Sequence, residues 1–397
     1  MKSERATSWL LIAFAGLCST LAGLGIGRFS YVATLPLIID AGWASASGAA
    51  QLAAANLIGY LLGALVSHRL AVSIGTGWAI RAAMLVVVVS LICCSMNLGL
   101  YWLWIWRLVS GIAGAVLMSM TAPAVLARVP VAMRGKAAGM VFSGIGFGIV
   151  LSSFVVPALG TYSLSLAWLA LAAITAAALC FAWPRFPVQE ADRIVLQPLA
   201  AARANLMPRG AMLALICAYS LDAAGYLPHT VFWVEYLVHD LHKSLAMGGA
   251  FWALFGVGAA IGPLIGGFAA DKFGFRRMLI ACFAFKAIGV ALPLISTSMP
   301  SLFISSLVVG ALTPGLGALV SGRAAEIDGT AAHLRSWAVL TFSYSAVQAA
   351  GGYVMAGIYA ATHSFSVLFA IGASLLALST IISAIRFSYC AGGRQRC

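Results

Sequence analysis

Four ionisable side chains interrupt the most apolar stretches of this sequence: Arg28, Arg107, Asp222 and Lys286. A charge deep in hydrocarbon costs about 3 kcal/mol on insertion scales, so each is a functional candidate by default. A guanidinium presents a planar fork suited to a carboxylate, phosphate or sulfonate. Arg28 is therefore expected to hold an anion. Tyr31 supplies a hydroxyl beside it, and Gly23, Gly25 and Gly27 allow close approach. The alternative for Arg28 is a structural ion pair with Asp222. A carboxylate that alternates between apolar surroundings and a neighbouring cation alternately binds and releases a proton, which makes Asp222 the first candidate for proton coupling, the alternative being a static clamp with an Arg or a Lys. His229 is the second. It lies two helical turns further on and roughly on the same face, and imidazole titrates near neutrality, although a hydrogen-bonded core histidine is the plainer reading. Lys286 is a second anion contact, an internal partner, or a side chain that snorkels.

Uncharged polar residues complete a plausible ligand cavity. Asn56, Tyr226 and Gln348 can orient a small molecule, as can Gln51, Tyr219 and Tyr344, but for each alone the plainer reading is that it ties helices together. No signature of an enzyme accompanies them. The sequence has no Gly-X-X-X-X-Gly-Lys-Ser/Thr loop to hold ATP and no His/Cys cluster at metal-ligand spacing. Neither cofactor nor metal is expected. The net charge of +13 is spread over short loops, which excludes the continuous basic surface that nucleic acid requires.

The elements that must position these residues follow from apolarity. The 397 residues are 62% hydrophobic and 8% charged, with a mean hydropathy of +1.02, whereas an ordinary soluble domain is about 25% charged. Apolar runs fall at 9–39, 46–67, 79–97, 101–127, 137–158 and 161–183, then at 211–238, 246–270, 278–297, 300–322, 336–360 and 364–386. Runs of this length read as membrane helices. With the N-terminus inside, nineteen Lys and Arg fall on the inner side and only Lys243 on the outer, a positive-inside bias that puts both termini in the cytoplasm. The Pro-rich, polar stretch 185–210 reads as a linker between a bundle at 1–184 and another at 211–397. The fold class is all-α: a polytopic membrane protein with twelve transmembrane helices in two pseudo-symmetric six-helix bundles. Six of the eight cysteines lie within the runs and none in an outer loop, so no structural disulfide is expected.

The halves share a loop signature. The second half reads Gly266-Gly267-Phe268-Ala269-Ala270-Asp271-Lys272-Phe273-Gly274-Phe275-Arg276-Arg277, and the first Gly63-Ala64-Leu65-Val66-Ser67-His68-Arg69-Leu70, with Asp271 standing 204 positions after Ser67. A repeat near half-length marks a transporter built from two related bundles. Here the sequence resembles the major facilitator superfamily, whose Gly-X-X-X-Asp-Lys/Arg-X-Gly-X-Arg/Lys-Arg/Lys signature the second copy matches throughout. The first copy keeps Gly63 and Arg69 but has Ser67 for the Asp and Leu70 for the second Gly. Leu103, Arg107, Gly111, Gly114 and Ala115 match a further pattern of the superfamily. Gly25 to Tyr31, Asn56 to Gly63 and Gly225 to Pro228 resemble its YbfB/YjiJ-type branch.

The resemblance implies that Asp271, followed by Lys272 of the same loop motif, latches the inner side against a helix N-terminus, with Arg276 and Arg277 as its partners or as lipid contacts. It also implies that helix one lines the cavity, and that Arg107 assists proton movement or bundle conformation. The glycines and Ser143 between Gly139 and Gly148 resemble an antiporter motif without its Gly-Pro step and read as close helix packing. The expected function is proton-coupled movement of a small organic anion across the bacterial inner membrane by alternating access. The alternative is a proton-driven exporter of drugs or metabolites, with Asp222 or Glu235 meeting the substrate. Protons, membrane lipids and a small molecule are the expected partners, and the chain is expected to act as a monomer.

Overall fold

An apolar chain in lipid must satisfy its backbone internally, through helices or a closed barrel. The computed structural model takes the helical route. It describes residues 2–130, 133–186 and 210–385, apart from the side chains at 2–8, 264, 267, 268, 271 and 329–335. Among the described residues all regular structure is helical.

We number the helices by crossing. α1 comprises Lys2–Thr20, a π-helical segment Leu21–Ile26 and Ser30–Asp40. The first half continues with α2 (Ala46–Ile74), α3 (Thr76–Cys94), α4 (Leu100–Leu126), α5 (Arg134–Gly160) and α6 (Leu164–Ala182). The second half opens with α7, broken into Gly210–Gly225, Leu227–Val231, Trp233–Glu235 and a π-helical turn Tyr236–Asp240. Then come α8 (Leu245–Phe273), α9 (Phe275–Ile295) and α10, whose two parts Met299–Leu312 and Leu316–Asp328 meet at a 43° bend. α11 covers 336–362 and α12 Phe365–Ala384. Among the described residues nine helices are long and apolar enough to cross a membrane, and the bent α10 makes ten. Broken α7 and α11, which carries Tyr344, Ser345 and Gln348, complete the order.

The expected linker 185–210 lies almost wholly outside the described residues. The polar break expected between 322 and 336 is not a loop, because the backbone stays helical from Leu316 to Thr362. Arg323-Ala324-Ala325-Glu326 favours helix there, and Arg323 pairs with Glu326 one turn on at 2.7 Å.

The two halves repeat one another with an offset of 199 positions. The side chain of Ser45 caps α2 through the Gly48 N–H at 3.2 Å, and that of Ser244 caps α8 through Met247 at 3.2 Å. α2 ends on Gly75 at φ +82° and α8 on Gly274 at φ +83°, a left-handed turn that only glycine makes without strain. The packing of α2 on α4 and of α8 on α10 repeats in the same register. Gly59 abuts Leu108 and Gly111, while Gly258 abuts Leu307 and Gly310; Gly63 abuts Ile112 and Gly262 abuts Ala311. This register corrects the alignment read from the loops. The counterpart of Asp271 is Val72, not Ser67, and Arg69 corresponds to Phe268. Helix packing and turn glycines fix the repeat, whereas the loop charges of the second half have no counterparts in the first.

The bundles meet where α2 faces α11, α5 faces α8, and the outer part of α1 faces α7. Gly146 of α5 lies against Gly256 and Ala260 of α8, and Gly249 of α8 against Ser153 and Pro157 of α5. Trp104 Nε1 of α4 donates to the Tyr353 hydroxyl of α11 at 3.0 Å. The glycines of α5 serve close packing: Gly144 abuts Leu17 and Gly148 abuts Gly25, both in α1.

Candidate functional site

Both first helices of the repeat break at the same place. In α1 the break covers residues 27–29, and in α7 it falls at Tyr226, the counterpart of Gly27. Interrupted helices at matching positions of two halves mark the midplane binding region of secondary transporters.

A break frees backbone carbonyls, which need donors. At the α1 break Arg107 supplies them: Nη1 donates to Gly27 O at 2.9 Å and Nη2 to Arg28 O at 3.4 Å, and Ser110 Oγ adds a bond to Gly27 O at 3.0 Å. Asn56 Nδ2 anchors this stretch of α4 by donating to Arg107 O at 3.0 Å. The Arg107 guanidinium stacks over the Tyr31 ring at 4.4 Å, and the Tyr31 hydroxyl donates to Ala49 O at 2.7 Å. All three side chains are buried. Tyr31, Asn56 and Arg107 thus form a scaffold beneath the break, and the Tyr31 hydroxyl is directed at α2 rather than at the Arg28 fork.

Arg28 stands on that scaffold with its fork unspent. The guanidinium lies 5.1 Å from the Phe29 ring centre and 5.3 Å from that of Tyr60. It is partly exposed, and among the described residues no carboxylate pairs with it. The expected alternative partner, Asp222, is engaged elsewhere. Lys286 Nζ donates to Asp222 Oδ1 at 2.9 Å and Oδ2 at 3.2 Å, and both residues are fully enclosed.

The α7 break gathers the remaining polar groups. Lys286 Nζ lies 4.1 Å over the Tyr226 ring. The Tyr226 hydroxyl contacts that of Tyr344 and accepts from Gln348 Nε2. The Tyr219 and Tyr344 rings lie 4.3 Å apart. Tyr60 is close enough to interact electrostatically with both Arg28 and Tyr226, so it bridges the breaks across the two bundles. His229 lies within electrostatic reach of Lys286 but makes its hydrogen bond elsewhere. It is buried, stacks on Trp233 at 4.4 Å and meets Ser305 Oγ at 2.7 Å through Nε2. The Ser305 hydrogen goes to Gly289 O at 2.7 Å, so Nε2 must be the donor. Nδ1 is enclosed without a partner, which describes a neutral imidazole.

The structure therefore joins Asp222, Tyr226, Lys286 and Gln348 in one cluster. It sets Arg28 across Tyr60 from that cluster, puts Tyr31, Asn56 and Arg107 beneath Arg28, and leaves His229 beside Lys286 without a hydrogen bond to the cluster. Tyr60 was not among the expected site residues, although it lies within the Asn56–Gly63 segment that carries the resemblance and one turn after Asn56. The loop signature lies far from this cluster. Gly63 packs on α4, and Arg69, Lys272 and Arg277 are exposed. Arg276 Nη2 donates to Ala384 O at 2.8 Å and Ile385 O at 3.4 Å, capping α12. The side chains of Gly267 and Asp271 lie outside the described residues.

The profile of the family described as "Uncharacterised MFS-type transporter YbfB" matches residues 20–384. No curated protein matches the chain by sequence. Among solved structures, a partially occluded, inward-open form of the xylose transporter XylE from E. coli is similar, with a TM-score of 0.70 at 14% identity over 93% of this chain and 98% of that one. A point mutant of the nucleoside transporter NupG aligns with a TM-score of 0.74 at 14% identity over 94% of this chain and 98% of that one. At such identities the likeness is one of fold.

Proposed function

The chain belongs to the YbfB family of major facilitator transporters, and on that footing we propose that it moves a small organic anion across the bacterial inner membrane, coupled to protons. Transport of a small molecule by a multi-pass membrane protein, without catalysis, follows from the family; the anion, the proton, the membrane and the orientation are our reading. The observation that carries it is Arg28. Of the three cations expected within the membrane, Arg107 is spent on the carbonyls of the α1 break and Lys286 on Asp222, whereas Arg28 is partly exposed on a broken helix with no acid paired to it among the described residues. A guanidinium so placed is matched by an anionic ligand.

Coupling then falls to the Asp222–Lys286 pair. Protonating Asp222 would release Lys286 beneath Tyr226 and alter the floor of the cluster, which is how a proton on one side of the membrane changes affinity for an anion on the other. His229, neutral and walled by aromatic rings, is a weaker candidate for that step. We assign both ends of the chain to the cytoplasm from the loop charges, and treat 1–184 and 211–397 as bundles that rock about the cluster as one monomer.

Thermal-shift measurements on purified protein against carboxylates, sulfonates and cationic dyes, at two pH values, test the reading. Stabilisation by an anion that disappears in Arg28→Ala is the expected result. In proteoliposomes Asp222→Asn, alone or with Lys286→Met, should keep anion exchange and lose pH-driven accumulation. A wild-type response to cationic dyes alone, unchanged by Arg28→Ala and lost with Asp222→Asn, would replace this reading with proton-driven export.

A further inference from the structure

The end of the molecule remote from the Arg28 scaffold's inner loops carries a second titratable site. α1 ends on Asp40, and α7 ends on a π-helical turn that presents His239, just past the apolar run 211–238. His239 Nε2 lies 2.8 Å from Asp40 Oδ1, and its Nδ1 lies 2.9 Å from Glu235 Oε1. The Glu235 carboxylate is almost wholly enclosed, with 3% of its side chain exposed, against 35% for His239 and 53% for Asp40. Asp40 and His239 are counterparts in the repeat, 199 positions apart. The contact therefore joins the same point of both bundles across their pseudo-twofold axis.

Nε2 is hydrogen-bonded to Asp40 Oδ1, whereas Nδ1 and Glu235 Oε1 lie close without hydrogen-bond geometry, so that second contact is one of charge. A neutral imidazole has one N–H and one lone pair, so one carboxylate would face the lone pair. Two carboxylates beside one ring are charge-compensated when the three groups hold one proton more than a neutral imidazole and two carboxylates. That proton can sit on Nδ1 or on Glu235, and the contact is the same in either case.

We propose that Asp40, His239 and Glu235 form a proton-operated latch that holds the outer ends of the two bundles together when it carries this extra proton and releases them when it does not. The groups around it fit that behaviour. Glu235 and Asp240 come from α7, Asp40 and Tyr31 from α1, Tyr359 from α11, and His242 and Lys243 from the loop after α7. Tyr31 and Tyr359 interact electrostatically with Glu235, and Asp240 with Tyr236 and Tyr359. Among the described residues His239 is the one cation paired with these carboxylates. Burial pulls the His239 ring toward its neutral form, but Glu235 and Asp40 outweigh it and raise the pKa above its ordinary value. A pKa raised in the closed form means that the closing contribution is present at low pH and is lost as pH rises through that value. A proton arriving from the outer side thus favours outer closure. The proposal goes beyond the transport reading and is independent of Arg28 and Asp222, although "outer" follows the orientation given above.

Spin labels at Asn97→Cys and Thr297→Cys, on exposed loops of opposite bundles, report the opening directly. The measurement uses full-length, substrate-free protein in lipid nanodiscs, with the eight native cysteines replaced. Between pH 5 and pH 9 the ratio of closed to open populations should fall about fivefold, the scale of a partly exposed ion pair. His239→Gln should hold the ratio near the wild-type value at pH 9 throughout. His239→Arg, permanently charged, should stay closed across the range, and Asp40→Asn should lower the closed fraction at pH 5. Full pH dependence in His239→Gln, no pH dependence in the wild type, or an unaltered ratio in Asp40→Asn would each overturn the latch. Loss of anion binding in Arg28→Ala has no bearing on it.

Discussion

Asp222 and Lys286 are both fully enclosed, and each is the other's compensation. Removing one member of such a pair leaves a charge uncompensated and costs about 3–5 kcal/mol, whereas replacing both with groups of similar shape is often neutral. Lys286→Met should therefore destabilise the purified protein by about that much in a denaturation experiment, and Asp222→Asn/Lys286→Met should restore most of the loss. If the single and double variants are equally unstable, the pair is not what holds α7 to α9. Arg107 invites a different test, because its fork rather than its charge satisfies the broken backbone of α1. Arg107→Lys keeps the charge and loses the paired donors. It should weaken anion-induced thermal stabilisation by about tenfold in ligand concentration, equivalent to about 1.4 kcal/mol, while expression and membrane insertion stay near wild type. The Arg28 side chain is untouched by this change, so an unaltered response would show that the scaffold does not position it.

At the scale of elements, close contact between helix backbones sets the register. A Cβ on Gly25 would come within 2.8 Å of Gly148 Cα and 2.9 Å of Ile145 O, so α1 and α5 would have to separate next to the break that presents Arg28. Gly25→Ala should cost about 1–3 kcal/mol, the usual penalty for overpacking, and Gly135→Ala, where nothing lies within 4 Å, should cost nothing measurable by the same thermal melt. The helices themselves were legible in the sequence, because apolar runs long enough to span a bilayer have few other uses, and the buried charges stood out within them. Partner choice was not legible. That Asp222 takes Lys286 rather than Arg28 as its partner, or that the Tyr31 hydroxyl turns to Ala49, depends on helix rotations that an apolar run of near-uniform hydropathy does not encode. The repeat was visible but misaligned: loop charges suggested an offset of 204, while the packing glycines Gly59, Gly63 and Gly111 and their counterparts Gly258, Gly262 and Gly310 give 199. Only the second offset pairs Gly27 with Tyr226 and Asp40 with His239, so the midplane breaks and the latch escaped the sequence together.

For the whole molecule, loop charge and helix contact bear on one question, which is the side from which Arg28 is reached. Nineteen cations lie on the side assigned to the cytoplasm and Lys243 alone on the other, a bias that orients membrane chains through their short loops. On the Lys243 side the bundles are joined by Asp40 with His239 and by Gly249 against Ser153 and Pro157. Arg28 is nonetheless partly exposed. On the orientation proposed above, these contacts close the outer end, and Arg28 is expected to be reached from the inner side. A membrane-impermeant maleimide added to intact cells should then label Asn97→Cys and Thr297→Cys but not Gly135→Cys, which lies on the inner side. Inside-out vesicles should reverse the pattern. In a background without native cysteines, Arg28→Cys should react in the inside-out vesicles at low pH and several-fold less in intact cells, because the closed outer end bars the reagent. Labelling of Gly135→Cys in intact cells would invert the orientation and place the latch in the cytoplasm. Equal labelling of Arg28→Cys from both sides would mean that the two bundles do not form a barrier at the helix contacts described here.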